Sequence, residues 1–142
     1  MTKKEKFFLF LAIVAVLAVG LAADIFWVKI VRIDGRNFIA ETPKRPAEYQ
    51  KGLGGRRTLC RSCAMLFTFP QKGEYAFWMK DMRFDLDIIW ISSGKIVYIE
   101  KNFSAHSPEI VRPAVPADRV LEIGAGISEK NGFRVGDSVT VY

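Results

Sequence analysis

A run of seventeen residues without a single charge, Phe7–Ala23, follows the lysine-containing segment MTKKEK at the N-terminus. As a helix this run extends about 26 Å, slightly less than the ~30 Å hydrocarbon core of a bilayer. Continuation through Asp24 to Val28 brings it past that length and places Trp27 where interfacial aromatic side chains sit. Residues 1–27 are therefore predicted to form a transmembrane helix that stays outside the globular fold.

Two kinds of targeting segment fit this run. One is a signal anchor that the mature protein retains. The other is a signal peptide, with Gly20 and Ala22 as the small residues before a cleavage site. The apolar run is longer than the ~7–15 residues of a typical signal-peptide core, which favours the anchor.

The orientation follows from the very short N-terminal tail, because such tails normally remain in the cytoplasm. Basic residues flank both ends of the run, so the positive-inside bias itself is weak. We predict a single-pass protein of the cytoplasmic membrane, with residues 28–142 outside and the membrane as a partner through residues 7–28.

Residues 28–142 consist of short apolar segments separated by turn signals. Asp34-Gly35 is typical of a hairpin, in which Val28, Ile30 and Phe38 are expected to face the core. Pro70 is expected to end a strand, a short helix is expected over Pro46–Lys51, and Ser128 is expected to cap a helical turn. The predicted fold is mostly β, a compact antiparallel sandwich or partly closed barrel with one or two short helices.

The segment YAFWMKDMRFDLDIIW, which begins at residue 75, combines charged residues with large apolar ones. Its last part reads as a strand that becomes apolar on both faces by Ile89, so burial on both sides is predicted there. Asp85 and Asp87 precede that point. Carboxylates so close to a core are expected to accept backbone amides or to pair with a cation, and Lys80 and Arg83 are the nearest cations.

Four blocks of sequence carry a family resemblance. They are FWMKDMRFDLDIIWI, GKIVYIE, RVLEIGAG and GFRVGDSVTV, and MLFTFP fits the same pattern upstream. In these blocks the chain resembles the domain of unknown function 192 family over residues 28–142. The family usually has other residues at the positions of Gly54, Ala64 and Asp81, and often at Asp85. The resemblance implies a compact, mostly β domain, often behind a signal or membrane segment, and implies no established activity.

Positive charge is moderate, with a formal net charge of +6, and a nucleic-acid partner is not expected. One basic segment stands out, opposed in sequence only by Glu48. Its basic residues are Lys44, Arg45, Lys51, Arg56, Arg57 and Arg61. A solvated charged face is the simplest interpretation. The functional alternative is contact with anionic lipid headgroups or an acidic envelope polymer.

The two cysteines, Cys60 and Cys63, form a C-x-x-C pair. A local disulfide or two plain thiols is favoured, and a redox-active pair is the alternative, although the pair precedes a strand rather than a helix. A zinc site needs about four ligands, and only His106 is available as a third. We therefore predict neither metal nor cofactor. His106 is interpreted as a surface histidine rather than as the partner of a catalytic cysteine.

Three carboxylates offer an enzymatic alternative. Asp81, Asp87 and Glu122, with Lys80, are the candidates for a hydrolase or transferase, since paired acids support proton transfer. A structural role is favoured for Asp87 and Glu122. The leading hypothesis is a membrane-anchored domain that binds a partner protein, an envelope component or a small ligand without catalysis. Its predicted binding site is Trp78, Lys80, Asp81 and Asp87.

Overall fold

The computed structural model of the chain describes residues 27–142, which contain nine strands and two short helices. The strands are β1 (Val28–Ile33), β2 (Arg36–Glu41), β3 (Cys63–Gly73), β4 (Phe77–Trp78), β5 (Leu86–Ser92), β6 (Lys95–Phe103), β7 (Ile110–Val111), β8 (Ala117–Gly124) and β9 (Val139–Val141). The helices are α1 (Pro46–Lys51) and α2 (Ile127–Asn131). The helix expected over Pro46–Lys51 is confirmed, and Gly52 ends it with a positive φ of 50°, outside the left-handed helical region.

Seven strands form one sheet in the order β6-β5-β8-β3-β2-β1-β9, and β4 pairs with β7 in a separate small sheet. Neighbours in the large sheet are antiparallel except β2 and β3, because the α1 segment crosses from the end of β2 to the start of β3. The sheet is not closed. Its edge strands meet through one isolated bridge between Lys95 and Ser138. The mostly β prediction with two short helices is confirmed. Of the two architectures predicted, the structure is not an antiparallel sandwich, and the seven-stranded mixed sheet does not close into a barrel.

Strands β5 and β8 of the large sheet are buried on both faces, whereas β1 and β2 have one exposed face. The first face contributes a core of Val31, Ile33, Phe38, Ile89, Ile91, Leu121, Ile123 and Phe133. The opposite face contributes Met65, Phe67, Leu86, Ile88, Trp90 and Val120, covered by Leu53 and Met79. Strands β5 and β8 supply side chains to both cores, which confirms the predicted two-sided burial of β5.

Three local expectations were wrong. In β1 the buried residues are Val31 and Ile33 rather than Val28 and Ile30, because the hairpin register places Val31 opposite the buried Phe38 and Ile33 lies on the same face. Pro70 does not end β3, since β3 and β8 are out of register between Thr68 and Gly73 and the missing proline N–H is not needed there. The cap of α2 is the left-handed Gly126, and Ser128 lies inside the helix.

Asp87 is fully buried in β5 and accepts three backbone amides. The amides of Asn102 and Gly126 donate to its Oδ1 at 2.8 and 3.1 Å, and that of Ser128 donates to its Oδ2 at 2.7 Å. The Asn102 amide lies where β6 carries one extra residue relative to β5. Asp87 therefore anchors this bulge and the start of α2. The expected alternative partners, Lys80 and Arg83, are not involved, and Asp87 does not hold the turn after Trp78.

The predicted transmembrane helix and signal-peptide cleavage site lie in residues 1–26, outside the described part of the chain. Among residues 27–142, none of the helices has the length and apolar character to span a bilayer.

We predict that Asp87→Ala destabilises the domain. The substitution leaves three backbone amides without their acceptor, of which that of Ser128 is buried, and an unsatisfied buried group costs roughly 1–3 kcal/mol. Thermal unfolding of the full chain measures the effect. Asp85→Ala is the matched control, because the exposed Asp85 accepts only the Ala105 amide in the structure. A melting temperature of Asp87→Ala at or above that of the parent contradicts the structural role.

Candidate functional site

An aromatic cavity of about 210 Å³ lies on the second face of the sheet, between α1 and the segment that contains β4. Its walls are largely aromatic and its polar groups are few. The aromatic lining residues are Tyr49, Phe67, Phe69, Tyr75, Phe77 and Trp78. Lys51, Lys80, Gln50 and Glu122 supply charged or polar side chains. Small-molecule sites typically combine such an apolar concave surface with a few polar groups.

The walls are fixed in place before any ligand binds. The Tyr49 hydroxyl donates to the carbonyl of Thr68 at 2.8 Å and so holds α1 against β3. Trp90 donates from Nε1 to the carbonyl of Tyr75 at 2.9 Å, which ties the β4 segment to the core. The rings of Phe69 and Tyr75 are stacked with centroids 3.5 Å apart. A cavity with anchored walls loses little side-chain entropy on binding.

The mouth of the cavity is formed where two backbone segments touch. A Cβ atom on Gly54 would lie 2.8 Å from the carbonyl oxygen of Lys51 and 3.1 Å from that of Lys80, so a side chain here would force the segments apart. The Gly55 amide donates to the carbonyl of Asp81, which has a positive φ of 59°. This junction positions both lysines, and Trp78 is about half exposed beside it.

Glu122 lies deep in the cavity. Only 4% of the residue is exposed, and its Oε2 has no hydrogen-bond partner within the described residues. Burial raises the pKa of Glu122 from 4.5 to about 8, while a hydrogen bond from the Leu53 amide and the charge of Arg56 act in the opposite direction. The carboxyl is therefore mainly protonated at neutral pH, and it presents one O–H donor.

The three candidate carboxylates do not converge. Asp87 is opposite Ile123 on the neighbouring strand, whereas Glu122 is opposite Ile88 and Met65. Because opposed residues share a face and adjacent residues do not, Asp87 and Glu122 point to opposite faces of the sheet. Asp81 lines a separate shallow groove with Arg83. The arrangement does not form a carboxylate pair of the kind that hydrolases use.

The predicted binding site is thus only partly brought together. Trp78 and Lys80 line the aromatic cavity, and Glu122 joins them from the enzymatic candidates. Asp81 lies next to the mouth, in the neighbouring groove. Asp87 is buried on the other face and is saturated by backbone amides.

The five other aromatic lining residues were not predicted to be functional. Phe67 and Phe69 alternate with Thr68 in β3, and Tyr75 and Phe77 alternate with Ala76. Spacing of this kind puts each pair on one face of an extended chain. The sequence signal was present, but it does not distinguish a cavity wall from a filled core.

The six residues of the basic segment differ in their contacts. Arg45 pairs with Glu48 and Arg56 pairs with Glu41, each at 2.6 Å. The Lys44 ammonium lies 3.2 Å from the centroid of the Trp27 ring. No ion pair is recorded in the described range for the remaining members, Lys51, Arg57 and Arg61. These three side chains are exposed, so they leave net positive charge on the surface.

Cys60 and Cys63 form a disulfide in the turn that leads into β3, as one of the sequence interpretations expects. His106 is exposed in the loop after β6, and its backbone amide donates to Ser104. Within residues 27–142 no group of three or more histidine, cysteine, aspartate or glutamate side chains is arranged to bind a metal ion.

Comparison with known proteins adds a family and two structures. The family model for DUF192, described as an uncharacterised ACR, matches residues 29–141. A solved structure from Sinorhizobium meliloti 1021, provisionally assigned as a transcription regulator, is 31% identical with a TM-score of 0.76, covering 80% of this chain and 93% of that one. A protein of unknown function from Novosphingobium aromaticivorans DSM 12444 is 28% identical with a TM-score of 0.75, covering 80% of this chain and 84% of that one. No curated protein matches the chain.

We predict that Glu122→Gln removes a pH dependence of stability. The folded-state pKa of about 8 exceeds the ordinary 4.5, so the contribution of Glu122 is fully present below the unfolded pKa and is lost as pH rises towards the folded one. Relative to the variant, the parent should lose up to about 1.4 kcal/mol of unfolding free energy per pH unit in this window.

Urea unfolding of the parent and Glu122→Gln at about pH 5 and about pH 7.5 measures this difference. Glu109→Gln is the control, because Glu109 is exposed in the loop that contains β7. Equal pH profiles for the parent and Glu122→Gln would mean that Glu122 ionises normally in the folded protein.

Proposed function

Since the chain belongs to the domain of unknown function 192 family, a match that brings no activity with it, we propose that it is a binding domain whose aromatic cavity takes up a small ligand without turnover. One observation carries this proposal. The cavity is lined by anchored aromatic rings, with a half-exposed Trp78 and Lys80 at its mouth. A ligand can stack on Trp78, and Lys80 can contact its polar end.

The enzymatic alternatives receive less support from the geometry. Asp87 and Glu122 face opposite sides of the sheet, so a two-acid mechanism lacks its second acid. The Cys60–Cys63 disulfide precedes a strand, whereas thioredoxin-like pairs lie at a helix N-terminus. Binding without catalysis needs neither arrangement.

We predict that Trp78→Ala weakens ligand binding by about threefold to tenfold, because an aromatic contact contributes roughly 0.5–1.5 kcal/mol. A library of single-ring fragments is screened against the full chain by thermal shift, and affinities are measured for the compounds that stabilise it. Tyr142→Ala is the matched control, since Tyr142 is an exposed aromatic residue away from the cavity lining.

Two results contradict this proposal. Fragments that bind Trp78→Ala as tightly as the parent occupy another surface. Chemical conversion of a bound fragment, seen by mass spectrometry after incubation, favours the hydrolase or transferase. Unchanged fragments and selective loss of binding in Trp78→Ala support the cavity.

The location proposed for this domain is the outer face of the cytoplasmic membrane, held there by residues 1–27. The basic segment supports this proposal, because Lys44 packs on Trp27 directly after the apolar run and Arg56, which pairs with Glu41, is followed by the exposed Arg57. Juxtamembrane lysines and arginines each gain about 1 kcal/mol near an anionic surface. Anionic headgroups are therefore the proposed partner of the basic segment.

We predict that the native protein retains Met1–Val28. Intact mass measurement of protein purified from membranes tests retention, and a mass that corresponds to a chain beginning near Ala23 contradicts it.

For the headgroup contact, the full chain is placed in phosphatidylcholine nanodiscs with increasing phosphatidylglycerol. Amide resonances of Lys44 and Arg57 should shift, while that of Lys101, an exposed lysine in β6, should not. Equal shifts for all three remove the basic segment from the proposal.

A further inference from the structure

Glu122 is a buried acid whose Oε2 has no partner, and it lines an apolar cavity large enough for a ligand. Buried polar atoms in native proteins are nearly always hydrogen-bonded, so each exception calls for an explanation. Leaving such a group unsatisfied costs its desolvation free energy. A ligand that supplies the missing partner recovers this free energy on binding.

We infer that the cavity binds an uncharged, largely apolar molecule that carries one hydrogen-bond acceptor. The Glu122 carboxylic acid donates a hydrogen bond to that acceptor. This inference rests on the proposed binding function and specifies its ligand class. A carbonyl, ether or ring-nitrogen acceptor meets the requirement. The aromatic walls then enclose the apolar part of the molecule.

The neighbouring charges disfavour a cationic ligand. Arg56 lies close enough to affect the ionisation of Glu122, and Lys51 and Lys80 line the same cavity. These positively charged groups repel a cationic ligand. Such a ligand could pair with Glu122 only if this deeply buried acid became ionised. An anion can meet the lysines at the mouth, but it cannot approach the floor without losing its hydration.

The two tyrosines of the wall do not offer competing donors. Tyr49 donates its hydroxyl proton to the carbonyl of Thr68, and Tyr75 donates to the carbonyl of Gln71 at 2.6 Å. Among the titratable groups that line the cavity, Glu122 is then the uncommitted donor at its floor. The remaining ones, Lys51 and Lys80, lie at the mouth.

The size of the cavity limits the ligand to one ring with a small substituent. An engineered apolar cavity of about 150 Å³ holds benzene, and this cavity measures about 210 Å³. Benzamide, benzylammonium, benzoate and toluene therefore form a suitable probe series. They share one ring and differ in carrying a neutral acceptor, a cation, an anion or no polar group.

The test uses the full chain labelled with 5-fluorotryptophan in phosphatidylcholine nanodiscs, and follows the ¹⁹F resonance of Trp78. Trp27, which does not line the cavity, serves as an internal reference, and Trp78→Phe assigns the signal. We expect benzamide to bind at least about tenfold more tightly than the other probes near pH 6.5. Its affinity should fall about tenfold per pH unit above the pKa of about 8.

Two variants isolate the donor. Glu122→Gln keeps an N–H donor, so benzamide affinity should stay within about threefold of the parent and become independent of pH. Glu122→Leu removes the donor, so benzamide affinity should fall to that of toluene while toluene still binds. Glu109→Leu, at an exposed site, should leave the binding of all four probes unchanged.

The outcomes distinguish failure of this inference from failure of the proposed binding function. Tightest binding of benzylammonium, with affinity that rises with pH, or tightest binding of benzoate overturns the inference. Equal, pH-independent affinities for all four probes overturn it as well, while the binding function stands. If no probe shifts the Trp78 resonance of a folded protein, both fail.

Discussion

Burial of the central strands β5 and β8 on both faces is the constraint on which the rest of this structure depends. Strands β5 and β8 have no solvent-facing side, so every polar side chain in them needs an internal partner. Asp87 finds its partners on the first face, in the backbone amides of a bulge and of a short helix. Glu122, on the second face, has an oxygen without one. The same constraint thus produces an acid with all its partners on one side of the sheet and an acid with an unpartnered oxygen on the other.

The cavity itself results from how the second face is covered. The first face is closed by the curvature of the sheet, which brings its edge strands together at Lys95 and Ser138. The second face is covered by α1 and by the segment around β4, which are short and meet at Gly54. Two short elements cannot cover three strands completely, and the remaining gap lies above Glu122.

Most of the fold could be predicted from local patterns, because turns, alternation and a helix-starting proline are local signals. The Asp34-Gly35 hairpin, the helix at Pro46 and the two-sided burial of β5 all followed from a few neighbouring residues. The buried face of β1 was misassigned although it is also local, since the two-residue turn sets Val31 and not Ile30 opposite Phe38. The cavity was out of reach, because Trp78 and Glu122 line it together only after β3 and β8 have paired.

The parallel pair of β2 and β3 also has a consequence for the order of assembly. Ile39 pairs with Cys63 across a crossover that contains α1, whereas the β1–β2 and β5–β6 hairpins join residues close in the chain. Closing a long loop loses more chain entropy than closing a hairpin, so non-local pairs form later. The α1 wall of the cavity is therefore expected to dock late in folding. The Cys60–Cys63 link shortens the freely moving end of that crossover just before β3 and thus limits the entropy lost at this step.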